Sequence, residues 1–363
     1  MASKRFVLIL VSCLYIFFLA NVALWQSWVR DVFLTPDGHG SMARLSGIRF
    51  SKPEITRFNY EEKHTEFADY ALQNVQQSFD AITIGNSFSN GVGGNYYQDY
   101  LVDRYHWSIL NVRIVDPFGT AVQTLYALDD LGYLDEIQPK IVIIEMLSAG
   151  VTGFGNISRS APAMSRQGFI EAQGPTAVQK KIQQDISGEK IAPAVMVMAN
   201  WRFLAHRAYA WTHPGHKPSE SICALQLTRP CFSNPGMENL LVYPEVRGNR
   251  KFSDASIEAG NKGLNALADY LKQKGIRLVF LPMVDKYDLY YPYIKDKDNL
   301  QEENIFAQLM KYPRDYVLID TKTLLRRALE KEQIKDLYWA DDDHYSWKAQ
   351  QIIGDEIVRQ IQP

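Results

Sequence analysis

A long uncharged run near the start of the chain predicts a membrane segment. From Phe6 to about Trp25 no charged side chain occurs, and Lys4 and Arg5 come just before this run. About 20 apolar residues span a bilayer as a helix, and a cationic flank favours an N-terminus on the cytoplasmic side. The sequence therefore predicts a single-pass anchor over residues 1–28 in the inner (plasma) membrane. A cleaved signal peptide, which also begins with basic residues, is the alternative.

The chain after the anchor has the composition of a globular domain, which we expect on the extracytoplasmic, periplasmic side. Its charges nearly balance, with 39 basic and 41 acidic side chains in the whole sequence. A protein without a basic stripe is not expected to bind nucleic acid. Residues 29–55 are predicted to form a membrane-proximal stalk, and residues 56–363 the domain itself. Cys223 and Cys231 lie close together, so a local disulfide and two thiols both remain open.

Short apolar, β-branched segments alternate with helical patterns along this domain. Such alternation is typical of an α/β fold, in which helices cover both faces of a parallel sheet. The predicted strands are one that begins at Phe79 and four over residues 108–115, 140–146, 276–281 and 316–320, the fourth stopping before Pro282. The predicted helices cover residues 54–78, 95–105, 120–131 and 254–274, with two more ending near residues 332 and 361. The sequence thus predicts a five-stranded parallel sheet.

The alternation lapses between about residues 147 and 250, which we interpret as an insertion that shapes a cleft or meets a partner. A cationic helix is predicted around residues 177–185 and an aromatic helix over residues 192–211. The rings of the second helix either stack on sugars or form helix core: Trp201, Phe203, Tyr209 and Trp211. His213 and His216 have no acidic or cysteine partners nearby in the sequence, so no metal or other cofactor is expected.

The turn after the first strand is the strongest candidate for a functional site. The sequence there reads Gly85-Asn86-Ser87, and the carboxyl ends of parallel strands are where ligands meet unpaired N–H groups. Ser87 is therefore a candidate nucleophile. Ordinary turn chemistry is the alternative, with Gly85 supplying a positive φ and Ser87 an N-cap. Lys286, which follows the fourth strand at the same edge, either holds an anionic or polar substrate group or is a solvated loop lysine.

The C-terminal part of the chain supplies the partners that a nucleophilic serine needs. Residues 339–349 read WADDDHYSWKA, with Asp341 three residues before His344 and Ser346 as the N-cap of the last helix. A serine needs a base to take its proton, and the base needs a carboxylate that holds its tautomer. Ser87, His344 and Asp341 are therefore the predicted triad.

These blocks resemble the SGNH, or GDSL-like, hydrolase superfamily. The first block spans residues 85–89, with Asn86 where Asp is usual, and the last block spans residues 341–344 before a capped final helix. The resemblance covers most of residues 79–361 outside the insertion. It implies a flavodoxin-like parallel sheet with helices on both faces, and a Ser-His-Asp mechanism through an acyl-enzyme.

The resemblance also implies an oxyanion hole, which stabilises the negative oxygen of the transition state. In the superfamily it uses the N–H of the serine, a glycine N–H after the second strand and an asparagine side chain after the third. Ser87 and Gly119 correspond to the first two groups. The asparagine is missing from its block, and the nearest one is Asn156.

Within the superfamily the chain is similar to cell-surface acyltransferases, namely the alginate O-acetylation proteins and the D-alanyl-lipoteichoic acid protein family. The similarity lies in the anchor and the final His-aromatic-Ser segment, and it makes Asp342 a rival of Asp341. It implies transfer of an acyl group, acetyl first, to or from a cell-envelope or exported polysaccharide. The expected partner is a polytopic membrane acyltransferase that supplies the acyl group. A catalytically idle polysaccharide-binding or scaffold subunit is the alternative.

Overall fold

The computed structural model describes residues 2–29, 60–73, 77–90, 96–114, 119–156, 164–174, 193–212, 222–234, 239–244, 251–298 and 300–361. Most of the predicted stalk, the cationic helix around residues 177–185, and both His213 and His216 lie outside the described residues.

Six strands of the described chain form one parallel sheet, in the order β1-β3-β2-β4-β7-β8, and two more form an antiparallel pair, β5-β6. The strands are β1 (Thr65–Glu66), β2 (Ala81–Gly85), β3 (Ile109–Arg113), β4 (Ile141–Leu147), β5 (Cys223–Gln226), β6 (Asn239–Val242), β7 (Arg277–Met283) and β8 (Val317–Leu318). The parallel α/β architecture is confirmed, but the sheet has six strands and not five. The additional strand β1 lies where a helix was predicted over residues 54–78, and it pairs with Leu110 and Asn111 of β3.

Helices cover both faces of the parallel sheet, and the side chains of each strand alternate between two buried clusters. The helices of the domain are α2 (Phe67–Gln73), α3 (Tyr97–Tyr105), α4 (Ala121–Asp130), α5 (Tyr133–Ile137), α6 (Arg166–Gln173), α7 (Pro193–Thr212), α8 (Asp254–Gln273), α9 (Lys286–Tyr290), α10 (Ile305–Leu309), α11 (Thr321–Glu330) and α12 (Trp347–Ile361). A 3₁₀-helix, Ser148–Asn156, follows β4 directly. Burial on both faces explains why the central strands are continuous apolar runs.

The strand order reverses direction at β2, which positions the candidate site. From β2 the chain moves to β3 on one side and then returns to β4 on the other. Loops that leave neighbouring strands in opposite directions open a crevice at their carboxyl ends, where ligands bind in open α/β sheets. Ser87 follows β2 and therefore lies at this point.

Strand β7 passes through Pro282, although the sequence predicts that it stops before this residue. Pro282 pairs with Met146 of β4, while pairing with β8 involves only Val279 and Phe280. The Pro282 carbonyl accepts the Thr321 hydroxyl on the side where β8 is not paired. The missing N–H of proline therefore costs the sheet no hydrogen bond, which is how proline is tolerated within a strand.

The N-terminal helix α1 (Ala2–Leu24) continues into a π-helical turn, Trp25–Val29. Residues 4–29 are long and apolar enough to cross a membrane, and this is the one such helix in the described part of the chain. Helix α7 of the insertion packs against its C-terminal end through Phe203. Phe203 is thus a core residue, whereas Trp201 is exposed. The side chains of Tyr209 and Trp211 lie outside the described part.

The cysteines of the insertion lie in its folded part. Cys223 belongs to β5, and both Cys223 and Cys231 are buried. No disulfide joins them, so of the two open alternatives the structure has the thiols. Burial raises the pKa of Cys231, which keeps this thiol protonated and unreactive at neutral pH.

Candidate active site

The turn after β2 presents Ser87 to solvent, because the asparagines around it brace the backbone. The Asn86 side chain accepts the N–H of Phe88 at 3.1 Å, and the Asn90 side chain donates to the carbonyl of Gly85 at 2.6 Å. Ser87 itself is exposed. Within the described residues neither its hydroxyl nor its N–H has a hydrogen-bond partner. Ser87 caps none of the described helices, since α3 begins only at Tyr97.

A buried carboxyl group lies directly beneath this turn and was not identified from the sequence. Glu145, in β4, is fully buried, and its Oε2 accepts the Asn86 N–H at 3.1 Å and the Ser89 hydroxyl at 2.7 Å. A Cβ on Gly85 would lie 2.3 Å from the same oxygen. Gly85 is therefore required for close approach, and its φ is not positive, contrary to the turn interpretation. Burial raises the pKa of Glu145 to about 7.

His344 is held by two carboxylates of the acidic run before it. Its Nδ1 lies 2.9 Å from Oδ1 of Asp342 and 3.2 Å from Oδ1 of Asp343. The carboxylate partner is thus Asp342, the rival, and not Asp341. Asp341 is buried, and its charge acts on Lys286. Burial opposes a charge on His344, but the hydrogen bonds to Asp342 and Asp343 outweigh it and raise the pKa of His344 to about 10.

Lys286 fixes the loop that carries these acids. Its Nζ donates to the carbonyl oxygens of Trp339 at 2.8 Å, Ala340 at 2.9 Å and Asp342 at 2.8 Å. An ammonium group has three donors, and loop carbonyls engage all of them. Lys286 is buried, so the solvated-lysine alternative does not apply, and burial lowers its pKa to about 8. The geometry gives Lys286 a role in loop structure, and the predicted contact with substrate stays a prediction.

The two ends of the predicted triad come together around one cavity. The ring centroids of Phe88 and His344 are 5.1 Å apart, and Ser87 and Asp343 both line a cavity of about 170 Å³. Its other lining residues are Asn86, Phe88, Leu147, Ser148, Ala149, Val242, Tyr243, Asp285, Lys286 and Tyr287. Val242 and Tyr243 belong to the insertion, which therefore contributes to the cleft.

The hydrogen bond that a proton transfer from Ser87 to His344 needs is not formed among the described residues. Among the described residues no hydrogen bond joins the Ser87 hydroxyl to His344, and Nε2 of His344 has no partner. In enzymes without bound substrate such contacts are often long and tighten only in the complex. His344 thus has one ring nitrogen oriented by Asp342 and a second that makes no hydrogen bond within the described residues.

The remaining oxyanion candidates, Gly119 and Asn156, follow β3 and β4 in the chain. Gly119 has a φ of 67° and precedes Thr120, the N-cap of α4. Asn156 ends the 3₁₀-helix after β4, and its side chain lies outside the described part. Gly119 is not among the described residues that line the cavity. Directly after β4 the chain instead places Ser148, whose hydroxyl donates to Glu303 at 2.8 Å.

A second histidine with two acidic partners directly precedes the edge strand β1. His64 Nδ1 lies 2.7 Å from Asp99, and Nε2 lies 3.4 Å from Glu66. Burial opposes its charge, but these carboxylates raise the pKa of His64 to about 9. Asn111 links this cluster to the Ser87 turn, since its side chain donates to Glu66 at 3.1 Å and to Asn90 at 2.6 Å. His64 was not identified from the sequence, because it lies in a segment predicted as helix.

Two groups of side chains have the spacing of metal ligands. One is the acidic loop with His344, and the other consists of Asp285, Asp288 and Glu303. In the second group, Asp285 accepts the Asp288 N–H at 2.9 Å and Asp288 accepts the Glu303 N–H at 2.7 Å. These carboxylates shape the start of α9 through protein donors.

No protein-family model matches the chain, and no curated protein sequence matches it. What the site can do chemically is therefore inferred from its own residues.

Proposed function

We propose that the protein is a membrane-anchored, SGNH-like enzyme that moves an acyl group through a Ser87–His344–Asp342 triad. The observation that carries the proposal is the shared cavity. An exposed serine at the reversal point of the sheet borders the same space as the acidic loop that orients His344. Nucleophile, base and orienting carboxylate are the three parts that serine-dependent acyl transfer requires.

The reaction follows from these positions. The Ser87 oxygen attacks the acyl carbonyl carbon while its proton passes to His344 Nε2, and the N–H of Ser87 donates to the oxyanion. His344 then returns the proton to the departing alkoxide, which leaves as an alcohol, and Ser87 carries the acyl group as an ester. In the second half, a sugar hydroxyl or water gives its proton to His344 and attacks this ester. The bond between the Ser87 oxygen and the acyl carbon breaks, and His344 returns the proton to the serine oxygen. Transfer to sugar and hydrolysis thus use the same residues.

The size of the cavity and the membrane segment narrow the substrate. A volume of about 170 Å³ suits a short acyl group, with acetyl as the first choice, on a cell-envelope or exported polysaccharide. A polytopic membrane acyltransferase is the proposed source of the acyl group. The contact between α1 and α7 favours an anchor over a cleaved signal peptide, because cleavage would uncover Phe203 and Asn200, both buried against α1.

A catalytically idle binding or scaffold subunit is the second candidate, and one observation favours it. With a pKa of about 10, His344 is protonated at neutral pH, and an imidazolium cannot accept the proton of Ser87. A serine without a neutral base would leave a polysaccharide-binding cleft and no catalysis.

Intact-mass analysis separates the two candidates. The full-length protein is incubated with an activated acetyl ester at pH 7 and pH 9. The enzyme should gain one acetyl group, or turn over the ester, and Ser87→Ala should abolish both. Ser148→Ala is the matched control, because Ser148 lines the same cavity but its hydroxyl donates to Glu303, so this variant should still be acetylated. A wild-type protein without adduct or turnover at either pH would favour the binding subunit.

A further inference from the structure

Helix α7 makes its packing contacts at the C-terminal end of the membrane helix. The Asn200 side chain donates to the backbone carbonyl and the side-chain oxygen of Asn21, at 2.9 and 3.0 Å. Phe203 packs in one buried cluster with Trp25 and Val29. A hydrophobic helix of about 20 residues that starts at Phe6 covers about 30 Å. The α7 contact therefore falls at the level where α1 leaves the hydrocarbon core.

The opposite side of α7 is apolar and exposed. Exposure is 54% for Met198, 67% for Trp201 and 48% for Leu204. Spacings of three and four residues bring these side chains to one face of a helix. We name this surface the outer face of α7, and it consists of Val197, Met198, Trp201, Leu204, Ala205 and Ala208.

The charged side chains of α7 are all basic. Its sequence, PAVMVMANWRFLAHRAYAWT, contains no acidic residue. Arg202 and Arg207 are exposed on the same helix. Tryptophan, apolar side chains and arginines on one helix are characteristic of helices that lie in the membrane interface. The contact of α7 with the end of α1 also brings this helix next to the membrane segment, which supports lipid as the occupant of the outer face over a separate soluble partner.

We propose that α7 lies in the interfacial layer of the bilayer, with its outer face among lipids and with Arg202 and Arg207 at the level of the phosphates. This inference rests on the proposed membrane anchor. It assigns the insertion a second role, because the same insertion contributes Val242 and Tyr243 to the cavity. The helix would hold that part of the domain at the membrane, where a membrane-borne acyl donor is presented.

Spin-label accessibility in nanodiscs tests the proposal on the full-length protein. Cys13→Ser removes the exposed native thiol, while Cys223 and Cys231 are buried and resist labelling. Nitroxides are then placed singly by Met198→Cys, Trp201→Cys and Leu204→Cys, with Gln273→Cys on α8 as an exposed control. In phosphatidylcholine–phosphatidylglycerol nanodiscs, the three α7 labels should lose collisions with a water-soluble nickel complex and gain collisions with oxygen. The control should show the reverse.

Two outcomes overturn the proposal. Nickel collisions at the α7 positions as frequent as at Gln273→Cys would place the outer face in water. Protection from both nickel and oxygen would show that protein covers it, whether a second copy or a membrane partner. A label at Phe17→Cys in α1 tests the membrane anchor separately from the position of α7. If this label also lacks lipid exposure, the membrane anchor itself is wrong; if it alone contacts lipid, only the role of α7 is wrong.

Discussion

Two histidines of the domain have similar acidic partners but differ in how their two ring nitrogens are engaged. Each imidazole lies against two carboxylates, and in each case the hydrogen bonds outweigh burial and raise the pKa, to about 10 for His344 and about 9 for His64. His64, however, has carboxylates at both ring nitrogens. His344 binds its carboxylates through Nδ1 alone. The difference lies in the second ring nitrogen, which faces a carboxylate in His64 and makes no hydrogen bond within the described residues in His344.

The largest expected effect comes from replacing each histidine in turn. His344→Gln should lower kcat/KM for an activated ester about a thousandfold or more, because Ser87 loses its proton acceptor. His64→Gln should leave the chemical step largely intact in the fraction that folds. Steady-state kinetics, with folded protein quantified by circular dichroism, provide the measurement. Equal losses of kcat/KM in the two variants would remove the distinction between them.

The acidic run offers a second test on neighbouring residues. Asp342→Asn should lower kcat/KM about a hundredfold or more, because an amide no longer stabilises the imidazolium that forms on His344. Asp341→Asn is the matched control, since the carboxylate of Asp341 does not contact His344, and its loss should be much smaller. A larger defect in Asp341→Asn than in Asp342→Asn would restore Asp341 as the orienting residue.

The structural role of His64 predicts a loss of stability. His64→Gln should lower the free energy of unfolding by about 3 kcal/mol, because it leaves the buried carboxylate of Asp99 without its cation. The pKa of His64 is raised in the folded state to about 9. Its stabilising contribution is therefore complete below its unfolded pKa of about 6.5 and disappears as the pH rises through about 9. Urea unfolding at pH 6, 8 and 9.5 should show the wild type and the variant converging, and a constant gap would contradict the assignment.

The smallest expected effect is a shift in the pH dependence of kcat/KM. His344 must be neutral to act as a base, so kcat/KM should rise with pH towards the pKa of about 10. Asp343→Asn removes one of the two carboxylates at Nδ1, and the rise should move to lower pH by about one unit or more. Asp298→Asn, an exposed position outside the cavity, should leave the profile in place. A profile that is flat from neutral to alkaline pH would show that His344 is not the titrating base.

Much of the fold could be predicted from local sequence patterns. Five strands lie where the alternation indicates them, and α8 is followed by Gly275 with a φ of 76°, as expected for a residue that ends a helix. Strand β1 could not be predicted, because its residues, Thr65 and Glu66, are polar and pair only with β3. Pro282 was misread for a related reason. Its tolerance depends on where β8 is paired, which a local pattern does not contain.

Candidate site residues could be predicted where the pattern is local in the sequence, and not where the site depends on contacts between distant parts of the chain. Ser87 and His344 can be named as candidates from the sequence, because a turn after a strand and a histidine near acids are visible there. The choice between Asp341 and Asp342 depends on which carboxylate the loop turns towards His344, and Lys286 decides that through backbone carbonyls. Glu145 did leave a signal, since it is the one acidic residue within an otherwise apolar strand.

Labelling with a fluorophosphonate probe is a direct test of whether Ser87 is a nucleophile activated by His344, because it needs neither the natural substrate nor a partner. A serine activated by a base displaces fluoride and forms a stable phosphorus–oxygen bond, which peptide mass spectrometry can locate. We expect the label on Ser87 in the wild type and in His64→Gln, and its loss in His344→Gln. A wild-type protein that stays unlabelled, or equal labelling in His344→Gln, would contradict a Ser87–His344 acyl-transfer site.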